Sequence, residues 1–277
     1  MESILFERLS VLSHPQRMAI FRLLVRRCPD ALPAGEIARV LGLKASTASV
    51  YLAALTRSGL IRQTRQARSL LYQLDPQAAQ DMVSSLMLDC CRGRPDLCAP
   101  GAFADPVAAE TGGKINVLFL CTANSARSIM AEAILRDLAG DRFNAWSAGL
   151  HPAPQPHPDA LATLRAHGLD TEGLRSKTLD SFRTAEAPAM DFVFTVCDLA
   201  ANEDCPAWPG QPISAHWGLP DPARTQGTDM DRRRAFEETF AALRSRIGAF
   251  ASLPLTTLDR VSLQRRVDDI ARQTEPA

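Results

Sequence analysis

Residues 117–128 read VLFLCTANSARS. Four apolar residues run into Cys121, a loop of small residues follows, and Arg127 and Ser128 lead into SIMAEAILRDL, whose apolar residues recur at helical spacing. A strand that ends in a cysteine is often only a strand with a buried thiol. Here the loop also lies at a helix N-terminus, where backbone N–H groups converge on a tetrahedral oxyanion. Thr122, Asn124, Ser125, Arg127 and Ser128 are the candidate anion-binding residues. Arg127 can grip two oxygens in a fork that lysine cannot match. The same N–H groups and guanidinium are expected to lower the pKa of Cys121 and make it a nucleophile. Ser128 is placed to hydrogen-bond the sulfur, and Asn124 to brace the loop from inside.

Outward from this stretch, strand, loop and helix alternate. Strands are expected at Val117–Leu120, near Asn144–Ser147 and at Phe192–Val196, and helices at Ser128–Leu138, Pro158–His167 and Asp229–Phe250. That alternation predicts an α/β domain with a central parallel sheet. Before it, PDLCAPGAFADPVAAETGG (95–113) is rich in Pro, Gly and Ala and lacks apolar periodicity, which reads as a linker. The expected organisation is a first domain over 1–94, the linker 95–113, a second domain over 114–254 and a helical tail over 255–277.

The first ninety residues have a different pattern. ERLSVLSHPQRMAIFRLLVRR is helical with a break near Ser13–Pro15, PAGEIARVLGL is a short helix closing at Gly42, and KASTASVYLAALTRSGL is another, with Ser46 as its expected N-cap. LIRQTRQARSLLYQL reads as two strands around an arginine-rich turn. Two helices joined by a glycine turn and followed by a basic hairpin make a winged helix-turn-helix, mainly α, with the second helix in the major groove. Lys44, Ser46, Thr47, Ser49 and Tyr51 would face phosphates and base edges, and Arg62, Arg65 and Arg68 would form the wing. The chain as a whole is formally neutral, yet Ile37 to Leu74 holds six basic residues and no acidic one. That local excess points to operator DNA as a partner.

Composition excludes other classes. No apolar run reaches membrane-spanning length and no signal peptide is visible, so no membrane partner is expected. Seven cysteines, an odd number, suit a reduced cytoplasm better than a disulfide framework.

Two resemblances sharpen these readings. LSHPQRMAIFRLL, LPAGEIARVLGLKASTASVYLAALTRSGLI and RQARSLLYQLD resemble the ArsR/SmtB family of metal-responsive repressors, which implies a homodimer through this domain that leaves DNA when a metal or metalloid binds. AGEIARVL lacks the cysteines that many members carry before the recognition helix. The thiols stand instead in DCCRGRPDLC, as Cys90, Cys91 and Cys98. Three thiols within nine residues suit a soft ion that takes three sulfurs, such as arsenic(III) or antimony(III) acting as inducer. Zinc would want a fourth ligand.

The loop CTANSARS, with MAEAIL, WSAGLHP and HWGLPDPA behind it, resembles low-molecular-weight tyrosine phosphatases and the arsenate reductases that share their fold. The resemblance implies Cys121 as nucleophile, Arg127 as anion holder and Asp221, beside a proline, as general acid. Ala123 and Ala126 stand where the family often has Gly and Cys, and Ala123 is expected to tighten the loop slightly. The resemblance to thioredoxin-coupled reductases further implies that Cys197 and Cys205 relay the disulfide outward to thioredoxin, or that glutaredoxin with a small thiol replaces the last steps. It also offers potassium a place at Asn124, Glu132, Ser147 and Asp180, with no tightly bound cofactor otherwise. Trp208 and Trp217 are expected to shape the mouth of the site, while His151, His157 and His167 lack ligand spacing.

Together the halves suggest an arsenic(III)-responsive repressor joined to a cysteine-dependent arsenate reductase, located in the cytoplasm. A tyrosine phosphatase with a regulatory DNA-binding half is the alternative, and an oxyanion-sensing repressor without turnover is the non-enzyme reading.

Overall fold

In the computed structural model, residues 2–67, 69–86, 113–184, 186–202, 212–255, 257–258 and 260–273 are described. The chain divides into two units, residues 1–104 and 105–277. In the first, α1 (Glu2–Leu12) and α2 (Pro15–Arg26) are separated at Pro15, which sits at the first turn of α2, where its missing N–H costs nothing. A two-residue strand, β1 (Leu32–Pro33), leads into α3 (Ala34–Val40). Gly42, at φ 62°, turns the chain toward α4 (Ala45–Arg57). The N-cap of α4 is Lys44, not Ser46, and no side chain caps it, so Ser46 is left exposed one position inside the helix.

The basic hairpin is β2 (Ile61–Gln66) and β3 (Ser69–Leu74), registered from Ile61↔Leu74 to Gln66↔Ser69. β1 adds to its far side, giving the antiparallel order β1-β3-β2, a third strand that periodicity did not reveal because it is only two residues long. α5 (Pro76–Ser85) follows, capped by Asp75, whose carboxylate accepts the Ala78 N–H. Ile20, Leu23, Leu24, Ile37, Leu52, Leu55 and Leu60 close one core between these elements.

In the second unit β4 (Ile115–Cys121) is an inner strand of a four-stranded sheet. Its unbroken apolar run is what a strand covered on both faces requires. Val117, Phe119 and Cys121 join one core and Leu118 and Leu120 the other. After β4 come α6 (Arg127–Ala139), β5 (Phe143–Gly149), α7 (Pro158–Ala166), β6 (Phe192–Thr195), the five-residue α8 (Asp198–Asn202), β7 (Ile213–His216) and α9 (Asp229–Ala251). The order β5-β4-β6-β7 is parallel throughout. Since the chain moves from β4 to β5 on one side and returns to β6 on the other, a crevice opens at the C-terminal ends of β4 and β6.

α9 starts with a reciprocal capping box between Thr228 and Asp231. The tail forms α10 (Arg260–Gln273), whose Leu263, Val267 and Ile270 bury into the same core. Trp217 is wholly buried there, stacked on Phe194 at 4.0 Å and donating its indole N–H to the Val267 carbonyl. It is therefore a core residue and does not shape the mouth of the site; its neighbours on either side made it look like part of an exposed loop. Trp208 lies outside the described residues. Among the described residues no helix is long and apolar enough to cross a membrane.

Candidate active site

Cys121 is the last residue of β4, and Arg127 and Ser128 open α6, so residues 122–126 wrap over the helix N-terminus. Asn124 takes φ 45°, a left-handed conformation that asparagine tolerates better than most residues. Ala123 is not at positive φ, so it does not carry the strain that its departure from glycine suggested. The loop is braced from behind. Leu150, His151, Ala153 and His157 donate their N–H groups to the carbonyls of Cys121, Thr122, Ala123 and Ser125, at 3.3, 2.8, 2.8 and 2.8 Å. With four carbonyls satisfied on the outside, the loop's N–H groups are free to turn inward, as the Asn124 N–H does toward Cys121 Sγ at 3.1 Å.

Side chains lock the same loop. Ser128 Oγ lies 2.8 Å from Cys121 Sγ. The Asn124 amide donates to Ser128 Oγ and Ser147 Oγ, both at 2.9 Å, and its oxygen accepts the Lys177 N–H at 2.6 Å. Asn124 and Ser128 are fully buried, so their side chains brace the loop, leaving Thr122, Ser125 and Arg127 with partial exposure or an opening outward. Burial pushes the Cys121 thiol up from its ordinary pKa, against the pull of the Ser128 hydrogen bond and Arg127, and a charge on Cys197 would raise it further. Desolvation outweighs the electrostatics that were expected to depress it.

Arg127 points at the loop after β7. Its Nη1 donates to the Leu219 carbonyl at 2.8 Å, and Nη2 meets Asp221 Oδ2 at 2.9 Å. Asp221 is fixed by the Ala223 N–H, which donates to its other oxygen at 3.2 Å at the start of a short 3₁₀ turn, Pro222–Arg224. Sequence places these residues 94 positions apart, and the parallel sheet brings them into one site.

Cys197 follows β6 and is buried. Val196 donates its N–H to the Leu120 carbonyl, which keeps the two strand ends in step. The Cys197 sulfur lies 3.5 Å from Thr122 Oγ1 and accepts the Ala200 N–H at 3.4 Å. Thr122 thus joins the two thiols, a link for which sequence offered no signal beyond its place next to Cys121. His216, buried at the end of β7, bridges Thr195 Oγ1 at 2.9 Å and Asp198 Oδ1 at 3.1 Å, tying down both flanks of Cys197. Cys121 and Cys197 are both free thiols. Cys205, Cys90, Cys91 and Cys98 lie outside the described residues.

In the first unit, Ser46, Ser49, Val50, Ala53 and Arg57 form an exposed row along α4. Thr47 and Tyr51 flank it, with the Tyr51 hydroxyl 3.3 Å from His14 Nε2. Lys44 is exposed at the helix entrance. Arg62 is engaged, its Nε donating to Asp75 at 2.7 Å, whereas the Arg65 Nε donates to the Ala67 carbonyl of its own hairpin turn at 3.5 Å. Arg68 lies outside the described residues.

Residues 116–264 match the family profile of the low molecular weight phosphotyrosine protein phosphatase, and residues 12–64 match that of a helix-turn-helix domain. The arsenate reductases of Halalkalibacterium halodurans and Bacillus subtilis are each 36% identical over 135 residues, 49% of this chain and 94% of theirs. That of Bacillus licheniformis is 36% identical over 138 residues, 50% of this chain and 96% of its own.

Proposed function

The chain belongs to the low molecular weight phosphotyrosine protein phosphatase family, and we propose that within it the second unit is a thiol-coupled arsenate reductase and the first an arsenic(III)-responsive repressor. The observation that carries the enzyme reading is Cys197, a second buried thiol at the neighbouring strand end, linked to the nucleophile's loop through Thr122. Phosphate ester hydrolysis needs Cys121, Arg127 and Asp221 but has no use for Cys197. The identity to arsenate reductases across nearly their full length supports the same choice.

The placement of Cys121, Arg127, Asp221 and Cys197 supports the following course. Arsenate enters where Arg127 and the loop N–H groups stabilise its charge, and displaces Asp221 from the guanidinium. The Cys121 thiolate attacks arsenic(V), forming a sulfur–arsenic bond, while Asp221 protonates the departing oxygen, which leaves as water. Cys197 then attacks Cys121 Sγ. The sulfur–sulfur bond forms, the sulfur–arsenic bond breaks with its electron pair going to arsenic, and arsenite leaves. Cys205 attacks Cys197, which frees Cys121 and passes the disulfide to the 197–205 pair. Thioredoxin, or glutaredoxin with a small thiol, reduces that pair. No resident cofactor takes part in any step.

For the first unit, the exposed row on α4 and the basic wing suit the major groove and flanking phosphates of an operator. Ile4 and Phe6 on α1 and Val83 on α5 are exposed apolar residues that fit burial in a homodimer. Arsenic(III) held by Cys90, Cys91 and Cys98 would be the inducer, so the product of one half would release the other from DNA.

The test compares arsenate reduction, driven by thioredoxin, thioredoxin reductase and NADPH, with hydrolysis of an aryl phosphate on the same preparation. Multiple turnover on arsenate with weak hydrolysis supports the reductase. Efficient hydrolysis without arsenate turnover would make the chain a phosphatase, and neither activity would leave an oxyanion sensor. In parallel, arsenite should release labelled operator DNA from the Cys121→Ser chain but not from a Cys90/Cys91/Cys98 triple serine variant.

A further inference from the structure

The residues offered to potassium do not fit a cation. Asn124, Ser147 and Glu132 do come together, but Asp180 is exposed. The acceptors that meet are occupied by protein donors. Asn124 Oδ1 takes the Lys177 N–H, Glu132 Oε1 takes Arg136 at 2.7 Å, and Glu132 Oε2 takes both the Ser147 hydroxyl and the Lys177 ammonium, the latter at 2.9 Å. Glu132 is 3% exposed and Lys177 11%. A carboxylate so buried needs a paired cation, and the chain supplies one covalently.

We propose that Lys177 is the built-in cation of this site and a positioning residue for Cys121, which makes the nucleophile independent of added potassium. The proposal rests on the reading of Cys121 as nucleophile. Its logic is the direction of the hydrogen bonds. With Lys177 and Arg136 balancing its charge, Glu132 is an acceptor only, so Ser147 must donate to it. Ser147 Oγ must then accept from the Asn124 amide. That orients Asn124, whose other N–H donates to Ser128 Oγ. Ser128 is left with its own proton directed at Cys121 Sγ, 2.8 Å away. Protons along the path Cys121–Ser128–Asn124–Ser147–Glu132 are thus ordered by the ion pair at its end. Lys177 also fixes the path through its main chain, since its N–H holds Asn124 Oδ1 and its carbonyl accepts the Gly149 N–H at 2.8 Å. Arg136 is a weaker candidate for this role, being 41% exposed and one turn away on the same helix as Glu132.

The experiment uses the full chain and Lys177→Met, which removes the ammonium and keeps the main-chain bonds. Two readouts are taken in potassium chloride and in tetramethylammonium chloride. These are the pH dependence of Cys121 alkylation by iodoacetamide and single-turnover arsenite formation. The wild-type chain should give the same values in both salts. In tetramethylammonium, Lys177→Met should shift the alkylation midpoint up by about one pH unit, equivalent to a tenfold loss of thiolate, and slow arsenite formation in step. Lys177→Arg should restore both, and potassium should partly rescue the methionine variant. Potassium activation of the wild-type chain, or a wild-type alkylation profile in Lys177→Met, overturns the proposal. Alkylation needs no arsenate, so a chain that fails to reduce arsenate refutes the reductase reading while the alkylation profile still decides this one. Should Lys177→Met not fold, the Glu132→Gln/Lys177→Met double variant, which removes both charges together, is expected to show the same raised midpoint, and an unshifted one contradicts the proposal.

Discussion

Arg127 Nη2 sits 2.9 Å from Asp221 Oδ2, so the group that would hold the oxyanion and the group that would protonate its departing oxygen are in direct contact. The pair ties the loop after β7 to the anion loop and keeps Asp221 within reach of the reacting atoms. Entry of an anion competes for the guanidinium and releases the carboxyl group to act.

Asp221→Asn should therefore keep the loop in place, since the amide oxygen can still accept from Arg127, but remove the acid. Arsenite formation in a single turnover is expected to slow by about a hundredfold or more, with the affinity for arsenate changed far less. Rapid-quench measurement of arsenite against arsenate concentration separates the two. An unchanged rate constant would remove Asp221 from the chemistry.

Gly149 pairs with Cys121 across β5 and β4. A Cβ on it would lie 2.7 Å from the Thr122 carbonyl and 2.9 Å from both the Asn124 N and Cβ, closer than real contacts allow. Those neighbours are loop backbone held by several hydrogen bonds, so the anion loop must move. Gly149→Ala should lose arsenate turnover by at least about tenfold, since small misplacements at a reacting centre have large costs, while operator binding by the first unit is unchanged. Normal turnover in this variant would show that the loop is not shaped by its contact with β5.

Asp268 on α10 has its carboxyl pushed up to about 6 by burial, against the pull of the Gln264 amide that donates to it at 2.9 Å. A raised carboxyl pKa means that the folded state favours the neutral form. The stabilisation from Asp268 is thus complete below the unfolded value near 4 and is lost as pH rises through about 6. Asp268→Asn should raise the melting temperature at pH 7.5 and change it little at pH 4. Equal shifts at both pH values would mean that Asp268 ionises in the folded chain as it does in water.

Arg62 and Arg65 look alike in sequence, but Arg62 is engaged by Asp75 at 2.7 Å, whereas Arg65 meets no acidic partner among the described residues and donates to the Ala67 carbonyl at 3.5 Å. If the wing grips phosphates, Arg65→Ala should weaken operator binding evenly across sequences and reduce the salt slope by about one. Arg62→Ala should have the smaller effect on the slope, because the arginine must leave Asp75 to reach DNA. Fluorescence anisotropy over a salt series checks both, and a larger effect at Arg62 would place the DNA elsewhere.

Much of this arrangement was legible in the residues. The apolar run into Cys121, the helical spacing after Arg127 and the strand before Cys197 give the elements around the site because burial on both sheet faces leaves a plain periodic trace. β7 and α8 were missed because each is only a turn or a few residues long and lacks room for a period. The Lys177–Glu132 pair was invisible because 45 positions separate its members, and only the pairing of β4 with β5 and the bridge from Gly149 to Thr178 bring them together. Trp217 misled for the opposite reason. It stands next to the catalytic loop in sequence, yet the strand end turns its ring into the core.

The most direct measurement is a single turnover without external reductant. The reduced chain is mixed with arsenate, released arsenite is counted, and the cysteines are located by mass spectrometry. The wild-type chain should release about one arsenite per active site and lose two thiols into a disulfide, Cys197→Ser should stop at an arsenic adduct on Cys121, and Cys121→Ser should release none. Arsenite released by Cys121→Ser, or a wild-type chain that keeps all its thiols and yields none, would contradict the account.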